Sequence, residues 1–290
     1  MKKILMAIAS VVLACGIGFA AVGCAGDEYA VNVAGGGSGE GIANAKSGTS
    51  DMGMASKKVE GEDAEGIEVY AICQDGIAVV VHPSNELGNL TTAQLKQIYT
   101  GEITTWAQVD GATATGNIAI GHRESGSGTR DAFLELIEIE DTTTLADAAN
   151  TANTTGAMMT YVAGNPAAIG YISLGSLDDT VSAVKIGGVE ATADNVLSGS
   201  YALARPFNVM YKAENMTGND LLADFFTFLK SSQAHDIIVK EGYVSGLSGA
   251  PEYKVPETLP ETKELDISGS TSVQPLMAKL AEAYCDLLNA

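Results

Sequence analysis

The sequence predicts an α/β architecture with largely parallel sheets, on three observations. Short β-like runs alternate with helix-like runs along the chain, the pattern that builds sheets covered by helices. Three times, a β-branched run leads through a Gly/Ser/Thr-rich turn into a helix start. Apolar residues fill 46% of the 290 positions, enough for a substantial core. That length suits one large domain or two ordinary ones.

From the N-terminus, residues 1–23 read as a targeting segment outside the fold. Lys2 and Lys3 form a basic start, and Ile4–Ala21 is apolar and uncharged. Ala21-Val22-Gly23-Cys24 resembles a bacterial lipobox with Cys24 as the acylated residue, although Ala21 stands where Leu is usual. Tyr29–Ala34 reads as a strand, Ile42–Ser47 as a short helix and Asp51–Ser56 as a buried strand with its exit. Lys57–Gly66 is charged and exposed. Ile67–Cys73 and Gly76–His82 are two β runs, the second nearly all apolar and therefore central. Thr91-Thr92-Ala93-Gln94 has capping-box form and opens a helix through Ile98. Trp106, the one tryptophan, reads as a core or loop anchor.

Asn117–Ile120 is a β run leading to a helix over 130–138. Thr155–Ala163 fits a helix, Ile169–Leu174 and Val181–Ile186 fit strands, and Thr192–Ser198 fits a short helix. Leu203–Tyr211 is extended despite Pro206 and suits a crossover. Asn219–Leu229 and Ser232–Glu241 are amphipathic helices. Ala250–Glu264 is rich in Pro, Glu and Thr and reads as a linker. Helix Gln274–Leu288 ends the chain.

The three turns carry the chemistry. They are Gly35-Gly36-Gly37-Ser38-Gly39, Gly121-His122-Arg123-Glu124-Ser125-Gly126-Ser127-Gly128-Thr129-Arg130 and Ser268-Gly269-Ser270-Thr271-Ser272. At a strand-to-helix corner, backbone N–H groups converge and the helix adds about half a positive charge, a ready oxyanion site. Arg123 adds a planar fork of donors, and Ser127 and Thr129 add hydroxyls. A single such turn is more often a plain capped turn, so the repetition carries the inference. Formal charge is −20, and loss of residues 1–23 removes two lysines and no acid. Nucleic acid and anionic-membrane adsorption are excluded as partners, and an anion must be held by local donors. His82, His122 and His235 show no metal-ligand spacing, so neither a metal nor another cofactor is expected. With Cys15 in the leader and Cys24 lipidated, Cys73 and Cys285 remain, and the sequence leaves open whether they pair.

These residues resemble the phosphate-specific ABC-transporter substrate-binding proteins. The resemblance rests on Gly35–Gly39, Asp51-Met52-Gly53-Met54-Ala55-Ser56, Asp75–Val79, Leu95–Trp106, Arg123 with Ser127-Gly128-Thr129-Arg130 and Phe133, Ala168–Tyr171, Arg205-Pro206, Glu241-Gly242-Tyr243 and Ser268–Leu276. It covers nearly all of the mature chain. It implies a type II periplasmic-binding-protein fold, two α/β lobes closing on a cleft, and a non-enzymatic, lipid-anchored receptor on the extracytoplasmic face that hands inorganic phosphate to an ABC permease. Carried over residue by residue, it implies Ser38, Ser56, Arg123, Ser127, Gly128, Thr129, Thr271 and Ser272 as phosphate-binding. Another oxyanion (sulfate, molybdate or tungstate), or phosphate sensing without transport, is the alternative.

The chain departs from the family pattern twice. Ser56 stands where many members carry an Asp that accepts the phosphate proton, so discrimination from sulfate must rest on Ser56 and backbone acceptors, with Asp51 or Glu124 in support. The opening strand–helix unit of the family lies here at the C-terminus. The expected organisation is therefore a signal peptide at 1–23, first-lobe parts at 24–81 and 205–249, a second lobe at 82–204, a linker at 250–264 and a displaced first-lobe unit at 265–290. A circularly permuted monomer is expected, with exchange of the last unit between two chains, or a fragment of tandem modules, as rivals.

Overall fold

The computed structural model describes residues 19–20, 28–147 and 150–290; Phe19 and Ala20, assigned by sequence to the leader, pair with Ala34 and Val33, while Cys24 and the other leader residues lie outside the described residues. The first lobe is built from β1 (Phe19–Ala20), β2 (Ala30–Gly35), α1 (Ser38–Ser47), β3 (Met52–Ala55) and the start of β4 (Glu68–Val81). The second holds β5 (Asn89–Leu90), α2 (Thr92–Tyr99), β6 (Ala119–Arg123), α3 (Gly128–Leu136), β7 (Asn150–Ala152), α4 (Thr155–Ala163), β8 (Ala168–Ser173), β9 (Ser182–Ile186) and α5 (Ala193–Leu197). The chain returns through β10 (Ala204–Tyr211) to α6 (Ala213–Gly218), α7 (Asp220–Leu229), α8 (Ser232–Lys240), β11 (Glu264–Gly269) and α9 (Gln274–Leu288).

The strands follow the order β1-β2-β11-β3-β10-β4-β8-β6-β7, with β5 and β9 to one side. β11 runs parallel to β2 and β3 and is bonded to both, so the last strand of the sequence occupies an interior place in the sheet. β6 is likewise parallel to β7 and β8. The crossover strands break this pattern, because β10 is antiparallel to β3 and β4, and β4 to β8 and β9. The architecture is thus mixed α/β, with parallel sheets inside each lobe joined by antiparallel crossings.

The two β runs expected over 67–82 are one strand of 14 residues. Gln74, Asp75 and Gly76 stay extended because Pro206, Arg205 and Ala204 lie opposite them. Pro206 is tolerated because the N–H and C=O of Gln74 both pair with Val244 instead. Residues 77–81, grouped by sequence with the first lobe, pack in the second: Ile77, Val79 and Val81 join Leu95, Trp106, Phe133 and Tyr171 in its core. Trp106 is buried and its indole N–H donates to the Ala167 carbonyl. The capping box at Thr91 forms as expected, with Gln94 N–H donating to Thr91 Oγ1 and Thr91 N–H to Gln94 Oε1.

The first-lobe core joins Val31, Val33 and Met52 to Phe225 and Phe228 of α7 and to Leu280 and Tyr284 of α9. Cys73 and Cys285 are both buried in it and both free. Segment 250–264 is an anchored strap. Tyr253 and Gln233 exchange two bonds, and the hydroxyls of Tyr253 and Tyr284 share Asp224 Oδ2 at 2.5 and 2.8 Å. The Asp220 carboxylate caps the N–H groups of Glu261 and Thr262, and Tyr29 donates to the Pro260 carbonyl. At the chain's end, Asn289 Oδ1 accepts from Tyr29 N–H at 2.9 Å and its Nδ2 donates to Tyr29 O at 3.2 Å.

Residues 264–290 supply an interior strand and part of the core, so deleting them should abolish the cooperative unfolding transition. Asn289→Ala removes two hydrogen bonds and should lower stability by about 1–2 kcal/mol. Urea denaturation followed by circular dichroism reads both.

Candidate functional site

Four strand-to-helix corners meet where the two lobes face each other. From the first lobe come the corners before α1, which places Ser38, and before α9, which places Ser270, Thr271 and Ser272. From the second come the corners before α3, with Ser127, Gly128 and Thr129, and before α4, with Thr155. Ser38, Ser56, Ser127, Thr129, Ser270 and Ser272 are each at most 2% exposed, a density of hydroxyls that an apolar core would not carry. The first-lobe turns knit together through the backbone: Gly36 and Gly37 N–H donate to Gly269 O, and Ser270 N–H to Met54 O. Gly269 has φ +137 and runs against Met54 O, a place no side chain would fit.

The lobes touch at Gly128. A Cβ there would lie 2.1 Å from Ser38 Oγ and 2.9 Å from Ser56 Oγ, so glycine is required for α3 to approach both. Ser56 N–H donates to Ser38 Oγ at 3.0 Å, and Ser270 Oγ donates to Ser56 Oγ at 2.8 Å. Across the interface, Thr129 Oγ1 lies 2.8 Å from Ser272 Oγ, and Thr155 Oγ1 lies 3.2 Å from the same atom. Gly39 N–H donates to Gly126 O at 3.0 Å. Outside this ring, Lys57 pairs with Asp131 and Lys58 with Glu135. Burial opposes the Lys57 charge, but Asp131 and Asp63 outweigh it and raise the pKa.

Two buried guanidinium groups flank the spot. Arg123, 2% exposed, donates through Nε and Nη2 to Glu124, through Nε to the Ala152 carbonyl and through Nη2 to Thr271 Oγ1 at 3.1 Å. Its Nη1 is buried without a hydrogen-bond partner. Arg205 is held by Asp75 and reaches the Ser56 carbonyl and Thr129 Oγ1. Burial pushes the Asp75 pKa up and the Arg205 pKa down, and the opposite charge of each partner restrains the other's shift. The two cations are matched by two carboxylates, so surplus attraction for an anion must come from N–H groups, hydroxyls and helix termini. A buried donor left unpaired is costly, and Arg123 Nη1 is such a donor. A cavity of about 350 Å³ lined by Gly35, Thr154, Thr155, Thr271, Gln274 and Pro275 opens beside Thr271. A larger one, about 450 Å³, is lined by Leu174, Thr192 and Lys240 and touches none of these hydroxyls.

A family model described as the PBP superfamily domain matches residues 9–233. Phosphate-binding protein PstS of Bacillus subtilis is 30% identical over 222 residues, 74% of this chain and 70% of that one. The chain belongs to the phosphate-binding protein family. PstS 2 of Streptococcus agalactiae serotype V is 38% identical over 180 residues, 60% of this chain and 59% of the relative; the chain thus spans about three-fifths of that relative's length. Among solved structures, a phosphate ABC transporter substrate-binding protein with bound phosphate from Clostridium perfringens is 42% identical, with a TM-score of 0.69, covering 72% of this chain and 85% of that one. An ABC-type phosphate transport receptor from Vibrio cholerae is 35% identical with a TM-score of 0.60, at 72% and 85% coverage. The fold is that of the type II periplasmic binding proteins.

Within this phosphate-binding-family fold, seven of the eight residues singled out by sequence (Ser38, Ser56, Arg123, Gly128, Thr129, Thr271 and Ser272) meet across the lobe interface, and Ser127 adjoins Gly128 in the same turn. Ser127 serves partly as a cap, since its hydroxyl accepts from Arg130 N–H. Glu124 is engaged through both oxygens by Arg123, whereas Asp51 accepts from Asn219 and from Asp266 N–H and is structural. His122 packs edge-on to Tyr99 and burial lowers its pKa. Sequence reasoning missed Ser270, Thr155 and Arg205. Thr154-Thr155 is a fourth hydroxyl-bearing helix start, a signal too short to separate from an ordinary cap. Arg205 sits in an apolar crossover run, and only its neighbour across the sheet reveals its target. Among the described residues no cluster of three metal-ligating side chains exists, and no helix is long and apolar enough to cross a membrane.

Arg205→Met would leave Asp75 buried beside no counter-charge and should cost about 3–5 kcal/mol. Guanidinium denaturation reads this, and adding Asp75→Asn should recover part of the loss.

Proposed function

We propose that this chain is an extracytoplasmic receptor that binds inorganic phosphate between its lobes and delivers it to an ABC permease. The observation that carries this is Arg123 Nη1, a buried donor with no partner, beside a ring of hydroxyls from both lobes. A tetrahedral anion satisfies such a ring, because its oxygens accept from several directions at once and a charged acceptor strengthens each bond. The names borne by the Bacillus, Streptococcus and Clostridium relatives support the same ligand. Ser38, Ser56, Arg123, Ser127, Gly128, Thr129, Thr271 and Ser272 form the proposed binding set. The proposed role is carriage of the anion. Cys24 is the proposed lipid attachment point, which would tether the receptor to the outer face of the cell membrane.

A second reading, a binder of sulfate or a related oxyanion, draws support from Ser56. Phosphate near neutral pH carries a proton and needs an acceptor, and the two carboxylates that flank the spot are already engaged, Glu124 by two bonds from Arg123 and Asp75 by two from Arg205. Competition by sulfate separates the readings.

We propose further that residues 265–290 are the family's opening unit moved to the C-terminus and folded back into their own chain. The match to the family ends at residue 233, before β11, yet β11 fills an interior place in the sheet. The bonds between Asn289 and Tyr29 bring the C-terminal end of α9 against the start of β2.

Calorimetry on the mature chain should show one phosphate per molecule. Arg123→Ala, losing charge-assisted bonds of about 1.5–3 kcal/mol each, should weaken binding on the order of a hundredfold. Unchanged affinity would remove Arg123 from the site, and displacement of phosphate by equimolar sulfate would favour the second reading. Joining Ala290 to Glu28 and opening the chain at Gly249 should give a folded protein of similar phosphate affinity; an unfolded product would count against the permutation.

A further inference from the structure

β4 and β10 carry the chain between the lobes, and Asp75 and Arg205 face each other across them in register. Both side chains are at most 2% exposed. Arg205 Nε and Nη2 donate to Asp75 Oδ2 at 3.2 and 3.0 Å. Its Nη1 donates to the Ser56 carbonyl of the first lobe at 3.0 Å and to the Thr129 hydroxyl of the second at 2.7 Å. One rigid, planar group therefore touches the crossover and both walls of the cleft at once.

We infer that Arg205 is a positioning residue for anion capture, one that fixes the Thr129 hydroxyl as a donor toward the ligand and ties that donor to the opposite lobe. The inference rests on the phosphate reading above. A guanidinium has donors and no acceptor, so Thr129 Oγ1 must accept from it, and the single Thr129 proton must point elsewhere. Its acceptor is Ser272 Oγ, at 2.8 Å, and an oxyanion seated at the Gly128–Thr129 corner would compete for the same proton. With Arg205 in place, Thr129 presents hydrogen and not a lone pair to an arriving oxyanion. Without it, the hydroxyl is free to turn and face the anion with its oxygen. The two acceptors of Nη1 also sit on different lobes, so both bonds coexist only when the lobes are together. Opening the cleft gives one up, and capture of the anion restores it.

A lysine at 205 keeps the charge opposite Asp75. It replaces the fork by a point donor on a flexible stem, which cannot hold Asp75, Ser56 O and Thr129 Oγ1 in one plane. If Arg205 only neutralised Asp75, lysine would serve and Thr129 would be irrelevant to the outcome. A double-mutant cycle on phosphate affinity separates the two roles, because groups that act through one another are non-additive.

The experiment is phosphate titration of the mature protein, wild type and with Arg205→Lys, Thr129→Val and both. Arg205→Lys should weaken phosphate binding roughly tenfold or more when Thr129 is present, and by less than about threefold in the Thr129→Val background. Thr129→Ser, which keeps the hydroxyl, should preserve the coupling. Should the lysine variant fail to fold, Arg205→Gln with Asp75→Asn leaves no unpaired buried charge and enters the same cycle. The inference is overturned if the change at 205 leaves affinity within twofold of wild type, or if its effect is undiminished in the Thr129→Val background. A wild-type protein that does not bind phosphate would instead overturn the receptor reading.

Discussion

The first lobe depends on a strand that arrives last in the sequence. β11 is hydrogen-bonded on both sides, by β2 and β3, and it leads directly into Ser270, Thr271 and Ser272 and the N-terminus of α9. Removing it would split the sheet and take away one of the four corners at the candidate site. The strap over 250–264, pinned through Tyr253, Asp220 and Pro260, brings the chain to that place. Fold and site therefore share one long-range pairing. Contacts of this kind require a large loop to close before they are rewarded, so this pairing is expected to form late in folding.

A second constraint concerns the direction of hydrogen bonds. Ser38 accepts from Ser56 N–H, Thr129 from Arg205, Thr271 from Arg123, and Ser270 from Ser272 N–H. None of these N–H groups can accept, so each hydroxyl directs its own proton elsewhere: Ser270 gives its proton to Ser56 Oγ, and those of Ser38, Thr129 and Thr271 are left to offer. The lobe interface is thus polarised toward donation, although its formal charges, Arg123 and Arg205 against Glu124 and Asp75, cancel. A molecule carrying a net charge of −20 can in this way hold an anion by fixed short-range dipoles, whose effect fades beyond a few ångströms.

Much of this was legible in the sequence, for physical reasons that can be named. Glycine at a strand-to-helix corner and hydroxyl residues at helix starts are local signatures, and they located Ser38, Gly128, Thr129 and Thr271 at the interface. The capping box at Thr91 is equally local. What could not be read was whatever depends on a neighbour distant in sequence. Arg205 acquires its meaning from Asp75, Ser56 and Thr129, none of which its own run of residues announces. The continuity of β4 through Gln74-Asp75-Gly76 is imposed by β10, against a local pattern that suggests a break. The strap looked like a linker because Pro-rich, polar composition is the same whether a segment is free or pinned. The free state of Cys73 and Cys285 likewise followed only from their placement in the core.

The Asn289–Tyr29 clamp has a practical meaning for anyone who wishes to watch the protein move. Tyr29 and Asn289 lie side by side in one half of the molecule. Labels attached beside these two residues would ride on the same body and stay at a constant separation while the other half swings. A reporter of cleft motion has to place one label on the far half, for instance at the well-exposed Leu197 of α5, and let a position beside Asn289 serve as the fixed reference.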